Sequence, residues 1–147
     1  MANPALAVIS ESKRFPLVWD KLATPLPAWR ALLPETRDPR VASWHRDDGW
    51  LLKTAFCNTG DTVAVREFMR PTDWLGAQMA VHLTPSKWVA QRRFESIPVP
   101  TPAGPRHVCV GVYTVNGRAA GAYARMSARA VIDFQAVDVA LLLENGE

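Results

Sequence analysis

Residues 107–126 read HVCVGVYTV, then Asn116-Gly117, then RAAGAYARM. Asn-Gly between two apolar runs is the strongest short hairpin signal a sequence carries, because both turn residues must adopt positive φ. A two-residue loop pairs Val115 with Arg118. Counting back from there predicts Tyr123 opposite Val110 and Arg125 opposite Val108. The period of two then gathers Ala119, Gly121, Tyr123 and Arg125 on one face with Val108, Val110 and Val112. Small residues along 119–124 leave room for another backbone or a flat ligand.

Two further strands precede the hairpin. Trp50-Leu51-Leu52-Lys53-Thr54 and Thr62-Val63-Ala64-Val65 flank a small polar loop, giving a strand, a tight loop and a return strand. Lys87 to Glu95 reads as a strand with Trp88, Ala90 and Arg92 on one side and Val89, Gln91 and Arg93 on the other. Pro71-Thr72-Asp73 opens a helix that Thr84-Pro85 stops, with Trp74, Leu75, Met79 and either Ala80 or His82 facing inward. Six prolines in the first forty residues restrict that part to short helices, one beginning after Ser12 and one spanning Pro27 to Leu33. Asp133 to Glu144 closes the chain as either a helix or a strand. The expected fold class is α+β, an antiparallel sheet with short helices. Residues 1–48 form a proline-rich helical lead-in arm and 49–147 the functional region.

Composition narrows the function. The 147 residues are 48% apolar and 21% charged, an ordinary globular mixture. No apolar run approaches the roughly 18 residues of a spanning helix, and the first segment lacks the basic start of an export signal, so a cytoplasmic location without membrane contact is expected. A net charge of +3, scattered along the chain, does not call for a nucleic-acid partner. RNA binding would rest on Arg92, Arg93 and dispersed aromatics, and would show a steep salt dependence. Cys57 and Cys109 form no CxxC, and the three histidines are isolated, so neither zinc nor a nucleophilic triad is expected.

Three elements can carry chemistry. The loop Asn58-Thr59-Gly60-Asp61 offers backbone N–H groups to a phosphate, and Lys53 at the preceding strand end can neutralise it; an ordinary hairpin with a surface lysine explains the same residues. The strand bearing Gln91, Arg92 and Arg93 holds cations that need a partner or an anion, although a solvated edge strand would satisfy them equally. Arg125 is the third, with a salt bridge to Asp133 or Glu144 as its structural explanation.

Taken in order, Ser12-Lys13, Trp50-Leu51-Leu52-Lys53 with its loop, Val89-Ala90-Gln91, the proline loop, Val110-Gly111-Val112-Tyr113, Asn116 to Gly121, Arg125 and Ile132-Asp133 resemble the ATP-binding part of glutathionylspermidine synthase-like proteins. That family has an ATP-grasp fold with permuted element order, and the likeness runs from about Ser12 onward. It implies an ATP-dependent carbon–nitrogen ligase in which ATP phosphorylates a carboxylate and an amine attacks the acyl phosphate. By the resemblance Lys53 contacts nucleotide phosphate, Asn58, Thr59 and Gly60 cover it, Gln91 and Arg92 lie at the adenine hinge, and Arg125 stabilises the phosphorylated intermediate. Magnesium is expected for the family. However, no Glu-x-Asn triplet occurs here, the family's metal ligands lie upstream of the region covered, and Thr54 and Arg92 depart from its usual residues. The chain is therefore expected to be a fragment, an isolated domain or a degenerate relative, with an upstream domain or a second copy as its protein partner. The alternative is a non-catalytic dimerisation or partner-binding module that keeps the fold.

Overall fold

The computed structural model describes residues 7–57, 60 and 62–142. The chain is α+β and forms two compact units, 1–94 and 95–147, each built on its own antiparallel sheet. No helix among the described residues is long and apolar enough to cross a membrane.

The first unit carries a four-stranded sheet in the order β1-β4-β2-β3, from Thr36–Arg37 (β1), Trp50–Thr54 (β2), Val63–Ala64 (β3) and Trp88–Arg92 (β4). β2 and β3 make a hairpin with Leu52 opposite Ala64. Both β3 and β4 run antiparallel to β2, so they are parallel to one another and need a crossover. Helix α3, Pro71–Leu83, supplies it, after the short helices α1 (Ala7–Glu11) and α2 (Pro27–Leu32). Pro71 occupies its first turn, where no N–H is missed. At the other end Thr84 closes it with its backbone N–H and its hydroxyl both on the Ala80 carbonyl.

Register divides this sheet into two faces. Trp50, Leu52 and Thr54 stand opposite Arg92, Ala90 and Trp88, while Leu51 stands opposite Gln91 and Lys53 opposite Val89. The first face makes a core of Ala42, Trp44, Trp50, Leu52, Ala64, Ala90, Trp74 and Val81. The helix turns Trp74, Ala77 and Val81 to that core, a spacing of three and four, and leaves Leu75 and Met79 more than half exposed. The expected stripe through Leu75 and Met79 is thus corrected: both residues belong to the helix's outer side, with Leu83. Strand β1 comes from the proline-rich lead-in and pairs with β4 through Thr36–Gln91 and Arg37–Ala90, so the lead-in contributes a strand as well as short helices.

The second unit is a three-stranded meander: β5 (His107–Val115), β6 (Arg118–Ser127) and β7 (Val137–Val139). The turn is the expected one, with φ of 50° at Asn116 and 74° at Gly117, and Val115 pairs with Arg118. Beyond it the register departs from the simple count. Ala119 faces Thr114 and Gly121 faces Tyr113, so Ala120 is an extra residue, a bulge. One inserted residue moves everything after it by one. Tyr123 therefore stands opposite Gly111, and Arg125 opposite Cys109, not opposite Val110 and Val108. One face now holds Val108, Val110, Val112, Ala122, Ala124 and Met126; the other holds Cys109, Gly111, Tyr113, Gly121, Tyr123 and Arg125. The Tyr123 ring lies against Gly111, where an added Cβ would sit 2.1 Å from a ring carbon. Of the two forms open for the closing segment, the strand is found: Val137–Val139 pairs with β6.

Candidate functional site

Two of the residues singled out in the first unit meet. Lys53 and Gln91 lie on the second face of the sheet, one diagonal step apart across β2 and β4. Lys53 Nζ donates to Gln91 Oε1 at 2.6 Å. The Gln91 amide in turn donates from Nε2 to Thr36 Oγ1 at 3.1 Å, and the Thr36 hydroxyl donates to the Pro34 carbonyl at 3.2 Å. A polar chain therefore crosses three strands, on the face it shares with Leu51 and Val89, both of them buried. All three side chains are half-buried. A charge-assisted bond from lysine fixes the amide's orientation, oxygen toward Lys53 and nitrogen toward Thr36. Thr36 had no signal in the sequence: a two-residue strand between Pro34 and Pro39 is too short for any period to show.

Arg92, one residue on, projects from the opposite face. Its guanidinium stacks 4.2 Å from the Trp50 ring centre and donates from Nη1 to Asp47 at 2.6 Å, with Glu35 at 3.5 Å. That hydrogen bond, with the Gly49 N–H on the same carboxylate, holds Asp47 below the usual carboxylate range, and Asp47 raises Arg92 in return. Arg92 is thus part of a clasp over Trp50, apart from the Lys53–Gln91 pair.

Asn58 and Thr59 lie outside the described residues. Gly60 has a φ of 80°, a left-handed conformation that suits glycine, so its place in the loop is conformational. The root of the loop is tied down. Thr54, at the end of β2, and Thr62, just before β3, share a hydroxyl–hydroxyl hydrogen bond, and Lys13 donates from Nζ to the Cys57 carbonyl and from its backbone to the Ala55 carbonyl.

Arg125 belongs to the second unit. Its Nε donates to Asp138 Oδ1 at 3.2 Å and its Nη2 to the carbonyls of Asp133 and Ala136 at 3.0 and 3.2 Å. The side chain, 20% exposed, therefore ties the 133–138 turn to β6. Its carboxylate partner is Asp138; Asp133 contributes a backbone oxygen.

Arg14 carries no local signal that marks it as a joint. It donates to Asp38 Oδ2 at 2.7 Å and to the carbonyls of Trp88 and Pro85 at 2.7 and 3.2 Å, joining the lead-in, the 38–40 turn and the start of β4. Asp38 also accepts both Nε and Nη2 of Arg40. The hydrogen bond from Arg40, reinforced by Arg14 against partial burial, holds Asp38 far below the usual carboxylate range. Among the described residues no group of three or more His, Cys, Asp or Glu side chains is placed to hold a metal ion, and no residue is assigned to magnesium. No family model, curated protein sequence or solved structure matches this chain.

Proposed function

We propose that the chain is the nucleotide-binding part of an ATP-dependent carbon–nitrogen ligase resembling the glutathionylspermidine synthases. The observation that carries this reading is the 2.6 Å bond between Lys53 and Gln91, which joins the residue proposed for phosphate to the one proposed for adenine on one sheet face. ATP, when bound, supplies the phosphoryl group that activates a carboxylate. Lys53 would exchange Gln91 for a phosphate oxygen, a stronger charge-assisted partner, and release the amide to donate or accept at the adenine edge. Gly60 would let the 58–61 loop approach the phosphates closely.

Titration calorimetry with ATP tests the reading. The expected result is saturable heat that Lys53→Met weakens at least about tenfold, the scale of one charge-assisted hydrogen bond. Absence of heat at millimolar ATP, or equal affinity in Lys53→Met, refutes it. A second reading, a partner-binding module, draws on the outer side of α3, where Leu75, Met79 and Leu83 are 57–76% exposed. It predicts concentration-dependent association in sedimentation velocity that Met79→Glu abolishes.

A further inference from the structure

Across the first unit from the Lys53–Gln91 face, a cleft of about 330 Å³ opens between the 39–45 segment and the end of α3. Its floor is Trp44, Ala42 and Val81, all of them members of the core. Its rim is Arg40, His45 and His82. Among the described residues no carboxylate lines it.

Both parts of the cleft are fixed in advance. The Trp44 ring is 3% exposed, donates from Nε1 to the Pro39 carbonyl at 2.8 Å and meets Trp74 edge-to-face at 6.2 Å. The His45 ring lies over it, 3.4 Å between centres. Arg40 is gripped through Nε and Nη2 by Asp38, and its Nη1 makes no hydrogen bond among the described residues. Charge counting sets the sign of the site. One carboxylate, Asp38, serves two guanidinium groups, Arg14 and Arg40, so the trio keeps one positive charge. Arg14 is enclosed at 25% exposure and Arg40 is open at 65%, so the surplus is presented at the rim of the cleft.

A pre-positioned guanidinium and two imidazoles above an indole and a valine suit a ligand with a charged end and an apolar body. The volume sits at the small end of ligand cavities. We propose that this cleft binds a small monocarboxylate with a flat apolar body, its carboxylate on Arg40 and its body against the exposed His45 ring that covers Trp44. The floor is on the opposite side of the sheet from Lys53 and Gln91, so the site stands apart from the nucleotide reading and survives that reading's failure.

The test uses the full chain with 4-fluorobenzoate, followed by ¹⁹F line broadening and by the Trp44 indole signal in ¹H–¹⁵N spectra. Expected are saturable binding, affinity about tenfold lower for uncharged 4-fluorobenzamide, and a similar loss in Arg40→Met, the scale of one charge-assisted hydrogen bond. His82→Ala, at an exposed position that the fold does not depend on, is expected to weaken binding as well. Non-saturating shifts, equal binding of the benzamide, or unchanged affinity in both variants overturns the proposal. Displacement of the fluorobenzoate by ATP also overturns it, because the cleft would then belong to the nucleotide.

Discussion

Asp38→Asn probes the joint that holds the first unit together. The replacement keeps the shape and one acceptor oxygen but removes the charge shared by Arg14 and Arg40. The Arg14–Asp38 contact is 2.7 Å between side chains only 25% and 18% exposed. A hydrogen bond to a charged group contributes roughly 1.5–3 kcal/mol, and discounting for partial exposure leaves about 1.5–2.5 kcal/mol. Arg40 is too open to add to that figure. All six tryptophans lie between residues 19 and 88, so urea unfolding followed by tryptophan fluorescence reports on this unit. With a slope of about 1–2 kcal/mol per molar for a unit of this size, the midpoint should fall by roughly 1–2 M. The pH dependence gives an independent check. Asp38 is depressed in the folded state, so its contribution is complete above the unfolded carboxylate value near 3.8 and fades as pH falls below it toward the folded value. The gap between wild type and Asp38→Asn should be full at pH 7 and narrow progressively below pH 4. A cost under about 0.5 kcal/mol, the ordinary scatter of surface substitutions, would refute the reasoning, as would a gap that stays constant from pH 7 to pH 3.

Gly111→Ala should destabilise the second unit by about 1–3 kcal/mol, since the new Cβ collides with the Tyr123 ring; Tyr123→Ala should restore stability, measured by amide exchange over 107–127. Leu52→Ala, at a fully enclosed site, should cost about 2–5 kcal/mol in urea unfolding. Gly117→Ala should cost about 1–2 kcal/mol and speed exchange of the hairpin amides, because φ of 74° is unfavourable for alanine. Arg92→Met should lower thermal stability by opening the clasp over Trp50 while leaving ATP affinity intact; a large loss of affinity at unchanged stability would contradict the face assignment.

What the sequence made legible was set by how local each signal is. Asn116-Gly117 fixes its own turn, and Trp50–Thr54 emerged with the bounds its apolar run suggested. The bulge at Ala120 was invisible because Ala119, Ala120, Gly121 and Ala122 are uniformly small, and alternation cannot fix register where neighbouring side chains do not differ. The buried side of α3 was ambiguous for a related reason. Apolar residues surround the helix, and only packing against Trp44 selects Trp74 and Val81 over Leu75 and Met79. Arg14, Asp38 and Thr36 act through partners 24 to 74 residues away, and no local pattern encodes such a distance.

The alternation of β4 has a consequence for the candidate site that residue order alone conceals. Gln91 and Arg92 are adjacent, so one sheet face cannot present both side chains. The pairing of Arg92 with Trp50 and of Gln91 with Leu51 assigns them to opposite sides. On the proposed reading, a nucleotide on the second face would draw on Lys53, Gln91 and Thr36, with a single cation from the sheet. Arg92, stacked on Trp50 and paired with Asp47 and Glu35, does for the first unit what Arg125 does for the second: each cation fastens a loop to a strand. Phosphate charge must then be met chiefly by Lys53 and by backbone N–H groups. Such a site should lose nearly all nucleotide affinity with Lys53→Met and recover part of it with Lys53→Arg, whose longer fork still reaches an anion.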